Sequence, residues 1–204
     1  DNFSPKDFTN PYADYSVDQM YAFLSGYSLS RDIGSKYEYS NLAQGLLGHI
    51  LALNAGLSYE ELMITTIARP LGMNETKVIL DEPMKKNLAI GHNQGEEVSN
   101  WDIPTLAGAG GIRSSAHDML IFVSANIGLT PTTLRSAMDR SHVVRQVNAG
   151  QSRVGLGWHV NKGKLGDVIW HNGGTGGYRT FAGFVKETQT GVVVLSNSTE
   201  GGDD

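Results

Sequence analysis

A chain of 204 residues, 40% hydrophobic and 18% charged, is long enough to bury a core and too apolar to stay disordered. Its formal net charge of -5, with no Lys/Arg-rich run, excludes the basic footprint of a nucleic-acid or membrane-surface binder. No apolar run approaches the ~20 residues that cross a bilayer, so no membrane-spanning segment is expected. The absence of cysteine removes disulfides, thiolate nucleophiles and cysteine-zinc sites, and leaves the compartment open.

The start, Asp1-Asn2-Phe3-Ser4-Pro5, has no initiator Met and no signal-peptide pattern, and reads as a cut or processed end. Ser16-Val17-Asp18-Gln19 is a capping box leading into Met20, Phe23 and Leu24. Between Leu42 and Leu53 the spacing predicts a helix whose apolar side is Leu42, Leu46, Leu47, Ile50 and Leu51. Gly45 and Gly48 on that helix let a neighbour pack close, and Asn54-Ala55-Gly56 is its stop. Ser58-Tyr59-Glu60-Glu61 is a second capping box, and Pro70-Leu71-Gly72-Met73 ends the pattern.

Residues 81 to 112 are turn-rich and read as loop. Ser115 caps a helix through Met119, Leu120, Phe122 and Val123, and Thr130-Pro131 reads as the start of another. The texture then turns to short β-rich runs: Val154 to Val160, Val168 to His171, Tyr178 to Val185 and Val192 to Ser196, with a hairpin turn over Lys186 to Gly191. The expected organisation is a mostly helical lobe over 1–145 and an antiparallel sheet segment over 146–204, an α+β fold with no internal repeat.

Two clusters carry chemistry. Tyr39-Ser40-Asn41 opens the helix at Leu42, and His171-Asn172-Gly173-Gly174-Thr175-Gly176-Gly177-Tyr178 runs into a β-segment. Alone, the first reads as a helix cap and the second as a glycine turn. In order along the chain, however, five motifs stand together. They are Tyr39-Ser40-Asn41, the run from Pro70 to Thr76, Gly110-Gly111-Ile112-Arg113-Ser114-Ser115-Ala116-His117-Asp118-Met119, Gly155-Leu156-Gly157-Trp158, and His171-Asn172-Gly173-Gly174. This series resembles the class C β-lactamase-like family of serine hydrolases, which includes class C β-lactamases, D,D-peptidases of the penicillin-binding type, D-amino-acid amidases and aminopeptidases, and esterases.

The resemblance implies a helical lobe with an antiparallel sheet flanked by helices, incomplete at both ends here. It implies a cleft lined by a Ser-x-x-Lys, a Tyr-x-Asn and a Lys-Thr-Gly or His-x-Gly motif. Tyr39 is then the base or proton shuttle for the serine. A phenol with an ordinary pKa near ~10 serves that role only beside cations or in a concerted relay. Asn41 orients substrate or the motif lysine, and Gly174 supplies one N–H of an oxyanion hole, a donor worth ~3 kcal/mol in such sites. Asn172 and Gly173 pair with an extended substrate along the strand edge. His171 stands where lysine is usual, and imidazole carries less positive charge near neutrality, which weakens the field on an anionic substrate.

No serine here has a lysine three positions later, so the nucleophile is expected upstream. Thr175 among its glycines has no such lysine either and is set aside as a substitute. His49 reads as a packing residue; His92, His117, His142 and His159 lack metal-ligand spacing, and no cofactor is expected. Trp101 and Tyr178 could wall a cleft or pack. The expected partner is a small-molecule or peptide substrate, in a periplasmic or secreted setting. A chain truncated in this way is also expected to self-associate or to pair with the missing N-terminal segment. Two alternatives stand beside hydrolysis of amide, β-lactam or ester bonds through an acyl-enzyme. One is an esterase or D-aminopeptidase/D,D-peptidase rather than a β-lactamase; the other is a catalytically inert fragment or binding module.

Overall fold

The computed structural model describes residues 3–147 and 153–200. Helix α1 (Val17–Gly26) begins at the Ser16/Gln19 capping box, and α2 (Asn41–Ala55) begins at Ser40, whose hydroxyl accepts from the Ala43 N–H. Gly56 ends α2 in the left-handed region at φ 66°, a conformation that costs glycine nothing. The Ser58/Glu61 capping box opens α3 (Tyr59–Met63), which runs through one π turn (Ile64–Ala68) into α4 (Arg69–Leu71), ended by Gly72.

Helix α2 corrects the expected apolar face. Its buried residues are Gly45, Gly48 and Ala52, with Leu42 and Leu46 packed against Tyr15, Met20, Ile103 and Leu106. Leu47, Ile50 and Leu51 stand about half exposed. The cause is the short helix α6 (Ala107–Gly110) laid along the glycine line: a Cβ on Gly45 would stand 2.6 Å from the Leu106 side chain, and one on Gly48 would stand 3.0 Å from the Gly108 Cα. Close backbone approach selects the small residues and turns the leucines outward.

Residues 81 to 112, expected as loop, hold structure. Helix α5 (Glu82–Asn87) is capped by Asp81 with proline in its first turn, and a hairpin of β1 (Gly91–Asn93) and β2 (Glu96–Val98) follows, before α6. These elements are too short to leave a periodic signature. Helix α7 (Ala116–Ile127) is capped by Ser115. Helix α8 (Arg135–Ser141) starts later than the Thr130-Pro131 signal, because the Thr132 hydroxyl first closes a turn by accepting from the Leu134 N–H at 3.2 Å.

The sheet is an antiparallel meander in sequence order: β3 (Gln146–Val147), β4 (Arg153–Val154), β5 (His159–Gly163), β6 (Gly166–Thr175), β7 (Tyr178–Val185) and β8 (Thr190–Ser196). The run expected as one strand from Val154 to Val160 is broken over residues 155–158. There Leu156 donates to the Ser141 carbonyl at 2.8 Å and Gly157 takes φ 76°. Gly191, expected in a turn, lies in β8, where Val123 of α7 leaves no room for a side chain. Helix α7 packs across the β7–β8 face through Val123, Ile127, Phe184 and Val193. Val192 and Val194 of β8 point away from it and remain about half exposed.

His142 is enclosed at this junction, 8% exposed, with its ring edge-on to Trp158 and Phe184 and its Nε2 donating to Asn126 Oδ1 at 2.9 Å. Burial, aided by Lys186, pushes its pKa down from 6.5 to about 4. The unfolded chain therefore binds a proton that the folded chain refuses between those values. The stabilising contribution is complete above pH 6.5 and is lost as pH falls toward 4, a loss of about 3 kcal/mol. Urea denaturation across this window is expected to show that slope in the wild type and not in His142→Gln. Parallel pH profiles for the two proteins would contradict it.

Candidate active site

The Tyr39-Ser40-Asn41 turn is placed by its middle residue. The Ser40 backbone is extended (φ -148°, ψ 114°) and its hydroxyl is spent on the Ala43 N–H at 3.1 Å, which leaves Tyr39 just outside the helix. Tyr39 is 60% exposed and its hydroxyl makes no hydrogen bond among the described residues. Asn41, the first helical residue, is exposed and likewise unpartnered among them.

The third motif lies on β6, a long strand whose two edges differ. β5 pairs with β6 from Gly163↔Gly166 to His159↔Trp170 and goes no further, whereas β7 continues to Thr175↔Tyr178. From His171 to Thr175, β6 is thus paired on one edge and open on the other among the described residues. An open edge presents unpaired backbone N–H and C=O groups, the requirement for adding an extended substrate segment.

Tyr39 and His171 meet across this gap, with ring centroids 6.5 Å apart and planes inclined at 37°. The His171 Nδ1 faces the carbonyl oxygen of Asn172 at 2.5 Å. A carbonyl only accepts, so Nδ1 is the donor in this contact. His159 also lies near His171, 5.4 Å between centroids, and against Trp170 at 4.7 Å. Burial first, and His171 second, hold the His159 pKa below the usual imidazole value.

A cavity of about 650 Å³ opens from this point between the helices and the sheet. His171 and Asn172 line it, together with Thr175, Trp101 and Tyr178; Met63, Ile67, Met119 and Phe122 add apolar surface to the lining. Of the other predicted site residues, Tyr39, Asn41, Gly173 and Gly174 lie outside its lining. Trp101 and Tyr178 prove to be both wall and packing. Trp101 crowds Gly176 so closely that a Cβ there would stand 2.6 Å from its ring, and the Tyr178 hydroxyl donates to the Ala89 carbonyl at 2.5 Å. His49 accepts or donates with the Tyr21 hydroxyl at 2.6 Å, away from the site.

A family model described as Beta-lactamase matches residues 1–204. The chain belongs to the beta-lactamase family. Among curated relatives of this beta-lactamase family chain, an Escherichia coli K12 beta-lactamase is 26% identical over 198 residues, covering 80% of this chain and 52% of its own length. A D-alanyl-D-alanine-carboxypeptidase/endopeptidase from the same organism, AmpH, is 28% identical over 194 residues, covering 87% of this chain and 49% of its own. The chain therefore spans about half the length of the curated relatives it matches. A solved class C beta-lactamase superposes with a TM-score of 0.85 at 23% identity over 98% of this chain and 61% of that one, which shows the shared α+β fold. A Pseudomonas syringae beta-lactamase/D-alanine carboxypeptidase gives 0.83 at 22% identity over 90% and 61%.

His159 was not singled out from the sequence as a neighbour of the site. Hairpin register could have found it. Gly163 and Gly166 bracket a two-residue loop that sets His159 opposite Trp170.

Proposed function

We propose that the full-length gene product is a serine hydrolase that opens amide, β-lactam or ester bonds through an acyl-enzyme. Its nucleophilic serine would come from outside these 204 residues. The observation that carries this reading is the approach of Tyr39 to His171, two residues from distant parts of the chain whose rings stand 6.5 Å apart at the open edge of β6. In this scheme Tyr39 takes the serine proton as the hydroxyl attacks the acyl carbon and returns it to the leaving group. The Gly174 N–H holds the developing oxyanion, and Asn172 and Gly173 align the substrate backbone. Asn41 orients the substrate amide.

His171 favours a narrower form of the same reading, with esters or D-amino-acid peptides ahead of β-lactams, because imidazole supplies less positive charge than a lysine ammonium near neutrality. A periplasmic or secreted location belongs to the proposal. Among the described residues no helix is long and apolar enough to cross a membrane. The opposing reading, a binding module without catalysis, is favoured by the absence of a Ser-x-x-Lys tetrad from the chain.

One panel decides among them. The full-length gene product is assayed with nitrocefin, p-nitrophenyl esters and D-alanyl peptides, and its mass is measured after exposure to a fluorophosphonate. Turnover of esters or D-alanyl peptides above nitrocefin, with a stoichiometric adduct on a serine, is the expected result. Neither turnover nor adduct would leave the binding module standing.

A further inference from the structure

Phe181, Trp170, His159, His171 and Tyr39 form a continuous series of rings that runs from the paired part of the sheet to the candidate site. Successive centroids are 5.7, 4.7, 5.4 and 6.5 Å apart, with planes inclined at 18°, 31°, 32° and 37°. All of these separations fall in the range in which aromatic rings attract one another.

The two ends of the series are held differently. Trp170 is paired on both edges, with His159 of β5 and Gly183 of β7, and Phe181 is paired with Asn172 of β6 and Val194 of β8. His171 is the first residue of β6 that β5 leaves unpaired. A strand edge without a partner is freer to move than one held on both sides. The one hydrogen bond of the His171 ring among the described residues goes to the carbonyl of the adjacent Asn172. That acceptor belongs to the same open stretch of backbone and moves with it.

His159 bridges the two conditions. Its backbone belongs to the paired sheet, opposite Trp170, and its ring reaches past the last pair of β5 to His171. It makes no hydrogen bond or ion pair among the described residues, so ring contact is what it offers its neighbours. Burial first, and His171 second, keep its pKa below the usual imidazole value, and an uncharged ring lies against a second imidazole without like-charge repulsion.

Resting on the hydrolase reading above, we propose that His159 is a positioning residue for that reaction: its ring, fixed against Trp170, holds the ring of His171 towards Tyr39. The role lies in the face of the ring and not in its nitrogens. A misplacement of about 1 Å can cost a catalytic site about a hundredfold in rate, so a ring that supports the unpaired edge contributes to kcat.

The test has a kinetic and a spectroscopic arm, each on the full-length gene product after thermal melting confirms that the variants are folded. With p-nitrophenyl acetate, His159→Ala is expected to lower kcat about tenfold with KM little changed. His159→Phe should recover most of that loss. In a His171→Ala background, His159→Ala should cost nothing further, because its effect passes through that ring. An unchanged kcat in His159→Ala, a Phe variant as slow as the Ala variant, or the same tenfold cost with the His171 ring already removed overturns the proposal.

The spectroscopic arm needs no turnover. Long-range proton–nitrogen spectra of the histidine-labelled protein in mildly alkaline buffer, with His171→Ala supplying the assignment, report which ring nitrogen of His171 carries the proton. The wild type and His159→Phe are expected to show one fixed tautomer with the proton on Nδ1, and His159→Ala to show the mixed tautomers of free histidine. A His171 signal that is mixed in the wild type, or that His159→Ala leaves unchanged, overturns the role of His159 even if the enzyme is active. A fixed signal that His159→Ala releases, in a protein that turns over nothing, upholds His159 and removes the hydrolase reading.

Discussion

Tyr39→Phe is expected to lower kcat/KM of the full-length gene product by about a hundred- to ten-thousandfold, or about 3 to 5 kcal/mol of transition-state stabilisation. The substitution removes one oxygen and leaves the ring that faces His171 at 6.5 Å. That oxygen makes no hydrogen bond among the described residues and the side chain is 60% exposed, so the thermal midpoint should not move. KM should change little, because the proposed role is proton transfer in the transition state and not ground-state binding. The pH dependence of kcat should also flatten on the limb governed by the base. A Phe variant that keeps near wild-type kcat with the same pH profile would remove Tyr39 from the mechanism and leave it as a wall of the cleft.

The second large effect concerns stability and lies at Asp118. This carboxylate is 2% exposed and accepts from the Glu75 N–H at 2.7 Å and the Thr76 hydroxyl at 2.8 Å. Because the single Thr76 proton goes to Asp118, the Ser114 hydroxyl at 2.7 Å donates to Thr76 in turn. Asp118 also sits in the first turn of α7, where a negative charge meets the positive end of the helix dipole. Asp118→Ala takes the acceptor from the buried Thr76 hydroxyl and from the part-buried Glu75 N–H, and is expected to cost about 3 kcal/mol in urea denaturation. Asp118→Asn keeps one acceptor oxygen and should cost about half as much.

In a double-mutant cycle, Thr76→Val and Asp118→Ala should be strongly non-additive, since both report on one network. Additive losses would mean that the carboxylate acts through α7 alone. The network has a bearing on the site as well. Glu75, Thr76 and Ser114 line the cavity that ends at His171, so loosening Asp118 should widen the cleft before the whole protein unfolds.

The local starts and stops were legible from residues a few positions apart. Ser16, Ser40, Ser58 and Ser115 all cap helices, and Gly56 and Gly72 end them, because a cap is settled by hydrogen bonds within one turn. Strand β7 was also legible, its alternation of Phe184, Ala182 and Thr180 against Val185, Gly183 and Phe181 being a property of the pleat. Where a partner from elsewhere in the chain decides the outcome, the reading failed. The leucines of α2 were assigned to the core, yet α6 claims the glycine side; Val154 to Val160 was assigned to one strand, yet the Ser141 carbonyl draws Leu156 out of it.

The same division runs through the candidate site. By itself the sequence determined the family, through five motifs in a fixed order, and the residue types proposed for catalysis: a phenol at Tyr39, an imidazole at His171 and a glycine-rich strand after it. Only the tertiary structure decided that these groups meet, that β5 stops short and leaves the edge of β6 open, and that the ring of His159 lies near that of His171. The reason is range. Capping and pleating are settled by neighbours in sequence, whereas the separation of two rings depends on how helix and sheet pack, and that packing is written across the whole chain.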